Sequence, residues 1–164
     1  MILIVKSDLK RAGISPALSF IFGSLLSVSF KILKSHGLVY VRYEGFARLE
    51  DTMRTFGEYA QHPDCRPGQK QLVDLSDVTG IEENFAELMK LQAAKADVFM
   101  SEGAQTIIVY YAPNALSRKM CNMIVRSWEP FDSVVALVME DEAQALSVLG
   151  LAETSISQLL TTAA

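Results

Sequence analysis

Residues 70–80, Lys-Gln-Leu-Val-Asp-Leu-Ser-Asp-Val-Thr-Gly, constrain this chain more than any other stretch. Leu72, Val73, Leu75 and Val78 form a short apolar run, the pattern of a central strand covered on both faces. Thr79-Gly80 ends the run, and Thr79-Gly80-Ile81-Glu82 has the spacing of a capping box at the start of a helix. That places Asp74, Ser76, Asp77 and Thr79 at a strand end. Open α/β sheets present their binding and catalytic groups at such a rim.

The flanking segments supply the rest of the sheet. Residues 29–36 alternate apolar and polar, Gly37 makes a turn, and in Leu38–Glu44 the side chains of Val39, Val41 and Tyr43 oppose those of Tyr40, Arg42 and Glu44. Two strands joined at one glycine imply a hairpin. Leu49, Met53, Phe56 and Ala60 recur at helical spacing, and Pro63 ends that helix by His62. Phe85, Leu88, Met89, Gln92, Ala96 and Phe99 trace a second helix that ends at Gly103. Thr106–Tyr111 is β-branched and aromatic, a further strand. Asn114 can cap a third helix with Leu116, Met120, Met123, Ile124 and Ser127 inward; Trp128 closes it, and Pro130 stops it. Val134–Met139 is the last strand. Asp141 caps a last helix with Ala143, Leu146 and Leu149 inward and Gly150 at its end. The order β-β-α-β-α-β-α-β-α predicts an α/β fold: a mixed sheet of about five strands with about four helices and right-handed crossovers.

At 164 residues, with 50% hydrophobic and 21% charged, the chain is one domain with room for a core. A net charge of −4 is the wrong sign for a nucleic-acid footprint. Two cysteines, Cys65 and Cys121, are too few for a disulfide framework and fit a reducing, cytoplasmic setting, although a single bridge stays open. Three organisational units follow: residues 1–28 as an N-terminal extension, 29–151 as the domain, and 152–164 as a tail that is either frayed or a short extra helix. Ala12–Phe30 carries no charge and approaches the length of a spanning helix, and Ser27-Val28-Ser29 mimics a small-x-small cleavage site. Pro16, Gly23 and the serines dilute its hydrophobicity. Residues 1–28 therefore read as a loosely docked extension, with membrane association through residues 12–30, a signal, or a dimerisation arm as the alternatives.

From Leu38–Gly45, through Pro67-Gly68 and Gln71–Thr79, to Glu142–Gly150, the chain resembles the STAS-like superfamily, and more closely its SpoIIAA-like (STAS/Sec14-type) branch. The resemblance spans about residues 29–151. It implies a non-catalytic interaction or regulatory module, active through protein contacts and homodimeric, or alternatively a carrier or sensor of a lipid-like apolar molecule. STAS antagonists carry a phosphorylated serine just after this strand. Here Glu83 occupies that place, so the phospho-switch is not retained.

The residues themselves offer several candidates. Asp74, Asp77, Glu82 and Glu83 could gather a hard cation for a metal-dependent enzyme. Strand-end and helix-start electrostatics account for them better, and no metal or cofactor is expected. His62 and Cys65 form a His-x-x-Cys without enough further ligands for zinc. Met89, Met120 and Met123 with Trp128 could line an apolar pocket between the sheet and the methionine-bearing helices, or could simply be core. Met100 belongs to the same group. Lys90, Lys95, Arg118, Lys119 and Arg126 read as a solvated face. The candidate ligand- or partner-binding set is thus Asp74, Ser76, Asp77, Thr79, Glu83, Met89, Met120, Met123 and Trp128.

Overall fold

The computed structural model describes residues 27–99 and 103–163. Among them are five strands, β1 (Val28–Leu33), β2 (Leu38–Ala47), β3 (Lys70–Ile81), β4 (Thr106–Tyr111) and β5 (Val134–Met139). Five α-helices accompany them: α1 (Leu49–Ala60), α2 (Phe85–Phe99), α3 (Ala115–Trp128), α4 (Glu142–Val148) and α5 (Ile156–Thr162). The strands form one sheet in the order β1-β2-β3-β4-β5, antiparallel only between β1 and β2. The α/β class, the hairpin and the central place of the Gln71 run are therefore as the sequence pattern predicts. The hairpin turns through a short 3₁₀ segment, Lys34–His36, and closes on Gly37 at φ 57°. Met100, and residues 12–26 of the apolar stretch considered for membrane association, lie outside the described residues.

The sheet is covered on both faces. One core joins Val39, Val73, Leu75, Val78, Ile108 and Tyr110 to α1, α2 and α3. The other joins Leu38, Tyr40, Leu72 and Val109 to Ala145, Leu146 and Leu149 of the α4 segment and to Ile156 and Leu159 of α5. Residues 152–163 thus contain the short helix, docked by two buried side chains.

β3 departs from the pattern in its second half. Arg42 pairs with Asp74 but Glu44 with Asp77, and Gly45 with Val78 but Phe46 with Gly80. Each step inserts one extra residue into β3, which carries twelve residues against ten in β2. The first insertion flips the alternation. Val73 and Leu75 therefore share a core with Val78, where an unbroken period of two would have turned Asp77 inward. The strand consequently runs on through Thr79 and Gly80 to Ile81, and the capping box expected at Thr79 does not form. Asn84 takes that part: its Oδ1 accepts from the Glu87 N–H at 3.2 Å. Glu82 serves another helix, accepting from the Leu49 N–H at 3.1 Å, where α1's own N-cap residue, Arg48, makes no side-chain cap.

Two helices are rotated from their expected faces. α1 buries Thr52, Thr55 and Tyr59 and leaves Met53 exposed. α3 buries Ser117, Met120, Cys121, Ile124, Ser127 and Trp128, with Leu116 outward. Hydroxyl residues share the inner stripes with larger groups: Thr52 and Thr55 with Tyr59, and Ser117 and Ser127 with Met120, Ile124 and Trp128. Asn114 caps α3 as expected, accepting from the Ser117 N–H at 2.9 Å, and Asp141 caps α4 through the Gln144 N–H.

Candidate functional site

β2 to β5 run parallel, so their carboxyl ends share one rim, the place where α/β sheets gather ligands. Asp74 lies just inside it and is 5% exposed. Its Oδ2 accepts from the Tyr40 hydroxyl at 2.7 Å, and its Oδ1 accepts from Ser76 N–H at 2.9 Å and Ser76 Oγ at 2.6 Å. These bonds close a local turn across the first inserted residue. Burial and the bond to Asp74 together push the Tyr40 phenol upward. The Ser76 carbonyl accepts from Asn114 Nδ2 at 3.2 Å, which ties the turn to the start of α3.

Asp77 is exposed and pairs with Arg42 at 2.6 Å, and Arg42 also reaches Glu44 at 2.8 Å. Asp74 and Asp77 therefore have separate partners and do not converge. Thr79 and Glu83 are exposed further along the rim. Among the described residues no group of three or more His, Cys, Asp or Glu side chains is placed to hold a metal ion. His62 Nδ1 accepts from the Asp64 N–H at 3.1 Å within its own loop.

Beyond the acidic turn the rim opens into a groove of about 710 Å³ between the ends of β2 and β3, the start of α2 and the outer face of α3. Phe46 and Phe85 form one side and Leu116 and Met123 the other, with Glu83, Lys119 and Arg126 around them. Phe46, Phe85 and Leu116 are 48%, 45% and 40% exposed, high for large apolar groups. Gly80 lets an edge of the Phe46 ring come close to the strand: a Cβ there would meet Cδ2 at 2.9 Å. Of the residues expected to bind, Glu83, Met120 and Met123 meet in this groove.

The cavity between the sheet and the helices lies elsewhere than the methionines suggest. Its larger lobe, about 70 Å³, is under α1 and α2 and is lined by Phe30, Val41, Thr55, Phe56, Val73 and Lys95 among others. A smaller lobe of about 40 Å³ continues towards Leu88, Gln92, Met120 and Ile124. Both reach Tyr43, Thr52, Lys95 and Tyr110. Met89 and Met123 line neither lobe. Trp128 is core: its Nε1 donates to the Tyr110 hydroxyl at 2.8 Å, and its ring packs near Phe99 and Phe131.

Lys95 is only partly solvated and turns towards the cavity. It sits on the same inner stripe of α2 as Leu88, Leu91, Gln92 and Phe99, and its Nζ lies 6.0 Å from the centre of the Phe56 ring. Desolvation pushes its ammonium down to about 8. The sequence signal for this was its spacing, three residues after Gln92 and four before Phe99.

Both cysteines are free. Cys65 is partly exposed, whereas Cys121 is buried and its thiol is pushed up to about 12 by desolvation. A chromogenic disulfide reagent should therefore titrate one thiol quickly in the native protein and two in denaturant. Two fast equivalents in the native state would contradict the enclosure of Cys121.

Fold and rim together define an α/β domain with a mixed five-stranded sheet and an apolar groove at its carboxyl edge. No family model matches the chain, and no curated protein matches it. Among the described residues no helix is long and apolar enough to cross a membrane.

Proposed function

We propose that this protein is a non-catalytic interaction module of STAS-like, SpoIIAA-like type, and that it acts in the cytoplasm as a homodimer through the rim groove. The observation that carries this reading is the groove itself: three large apolar side chains held exposed around one concavity. The charges favour a second copy as the occupant. Lys119 and Arg126 line the α3 side and Glu83 the opposite side, and none of the three is in an ion pair among the described residues. A two-fold axis across the groove sets the cationic wall of one copy against Glu83 of the other, the self-complementarity that an isologous interface requires. Glu83, which stands where antagonists of this type carry their serine, then becomes a permanent interface charge rather than a switch.

Light scattering should report a dimer at micromolar concentration. Phe85→Asp buries a charge at the centre of the contact and should give a folded monomer. Lys119→Glu should weaken the dimer, and adding Glu83→Lys to it should restore association. A monomeric parent protein, or a Phe85→Asp protein that still dimerises, would remove this reading.

A further inference from the structure

The two-lobed cavity around Lys95 carries an inference independent of the rim. Its walls are chiefly apolar, yet two buried side-chain atoms in it lack hydrogen-bond partners among the described residues, and a partly exposed ammonium stands beside them. Thr55 Oγ1, on a residue 6% exposed, lines the larger lobe without a hydrogen bond. Gln92 Oε1, on a residue 1% exposed, lines the smaller lobe without one, although its Nε2 donates to Ser127 Oγ at 2.9 Å. Lys95 reaches both lobes, and its contact is the Phe56 ring rather than a carboxylate. Native interiors rarely leave buried polar atoms unpaired, and a group of them around one void points to a missing partner.

We propose that this cavity binds a short-chain monocarboxylate, with the carboxylate held by Lys95 Nζ and the Thr55 hydroxyl and the alkyl tail in the larger lobe. The charge follows from the walls: among the described residues the one ammonium lining the cavity is in no ion pair, so the ligand supplies a single negative charge. A carboxylate also accepts from both donors at once. The tail follows from Phe30, Val39, Val41, Val73 and Ile108, which offer only apolar contact. The size follows from the volume. A lobe of about 70 Å³ admits a few carbons and excludes the chain of a membrane lipid. Gln92 Oε1, the unpartnered atom, can only accept, so it suits a remaining N–H of the ammonium and not the carboxylate. Lowered basicity at Lys95 is consistent with a cation waiting for its counter-charge.

The test is an amide-shift titration of the isotopically labelled full chain with sodium butyrate, sodium chloride serving as the ionic-strength control. Saturable millimolar shifts at Thr55, Lys95 and Val41 are expected, with acetate and octanoate both weaker than butyrate. Lys95→Met should bind at least ~10-fold more weakly while keeping a dispersed spectrum, and Thr55→Val should lose roughly threefold. The proposal is overturned by an absence of saturable shifts at these residues, or by unchanged binding in a folded Lys95→Met protein. Affinity that climbs steadily from butyrate through decanoate would overturn it too, because that trend belongs to a long-chain lipid and to a cavity that opens.

Discussion

Asp74→Ala is expected to lower the unfolding free energy by about 3 kcal/mol, a shift of about 1.5 M in the urea midpoint. The size comes from what the carboxylate leaves behind. The Tyr40 hydroxyl, the Ser76 N–H and Ser76 Oγ all point at it, and Tyr40 is itself buried. Alanine offers none of them an acceptor, and a buried donor left unpaired costs about 1–3 kcal/mol. The same bonds hold the turn that seats the first extra residue of β3, so the substitution also loosens the register between Arg42 and Glu44. Asp74→Asn retains one acceptor oxygen and should lose less than half as much. Tyr40→Phe removes one donor and leaves the other two served, at about 1 kcal/mol. An Asp74→Ala protein with the parent's midpoint would mean that the turn stands without its carboxylate. One that kept its midpoint but ceased to dimerise would make Asp74 an interface residue instead of a structural one.

That turn also marks where the sequence pattern stops being readable. The apolar run of β3, the hairpin at Gly37 and the caps at Asn114 and Asp141 follow from local chemistry, and all four are visible in the chain. An inserted residue leaves no such mark, because Asp-Leu-Ser-Asp looks alike whether the strand ends there or bulges and goes on. The wrong cap followed from it: with β3 prolonged to Ile81, Glu82 falls beside α1 rather than at the start of α2. The rotated faces of α1 and α3 have a related cause. Periodicity weighs leucine and methionine above threonine and serine, yet a buried hydroxyl can be satisfied within the fold, as Thr52 Oγ1 is by the Arg48 carbonyl. Thr52, Thr55 and Ser117 are buried while Met53 and Leu116 face outward.

The site was legible in the same uneven way. The strand end expected at Ser76–Thr79 lies further on, since β3 continues to Ile81 and keeps Asp74 and Ser76 within it, whereas Glu83 with Met120 and Met123 does meet in one groove. Phe46 was unreadable as a groove residue, since its exposure depends on the second inserted residue that pairs it with Gly80. Lysine composition suggests solvent, and only a helical register with Gln92 and Phe99 argues otherwise for Lys95.

Lys95→Met is expected to stabilise the protein at neutral pH, by about 2 kcal/mol. Methionine matches the length of the lysine stem and fills the cavity wall without an ammonium to desolvate. The native ammonium is held at about 8 against an ordinary 10.5, which corresponds to roughly 3 kcal/mol; the solvent admitted by the residue's partial exposure reduces this to the smaller figure. The sign fixes the pH window. Below pH 8 both native and unfolded chains carry the proton, and the native state bears the whole desolvation penalty. Between about 8 and 10.5 the unfolded chain binds more protons than the native one, so wild-type stability gains with rising pH on account of this group. The advantage of the variant should therefore be constant up to about pH 7, narrow above pH 8 and vanish near 10.5. Cys121 and Tyr43, each pushed up to about 12 by burial, act in the opposite direction once the unfolded thiol and phenol begin to ionise. They are common to both proteins and cancel in the difference. Paired urea titrations at pH 6, 7, 9 and 10 measure it. A variant less stable than the parent at pH 6 would show an ammonium that is already well solvated or paired, and the cavity would then have no uncompensated charge to offer a ligand. A variant more stable at neutral pH, closing on the parent as pH rises, identifies Lys95 as a cation the fold keeps at a loss, which is the mark of a group retained for binding.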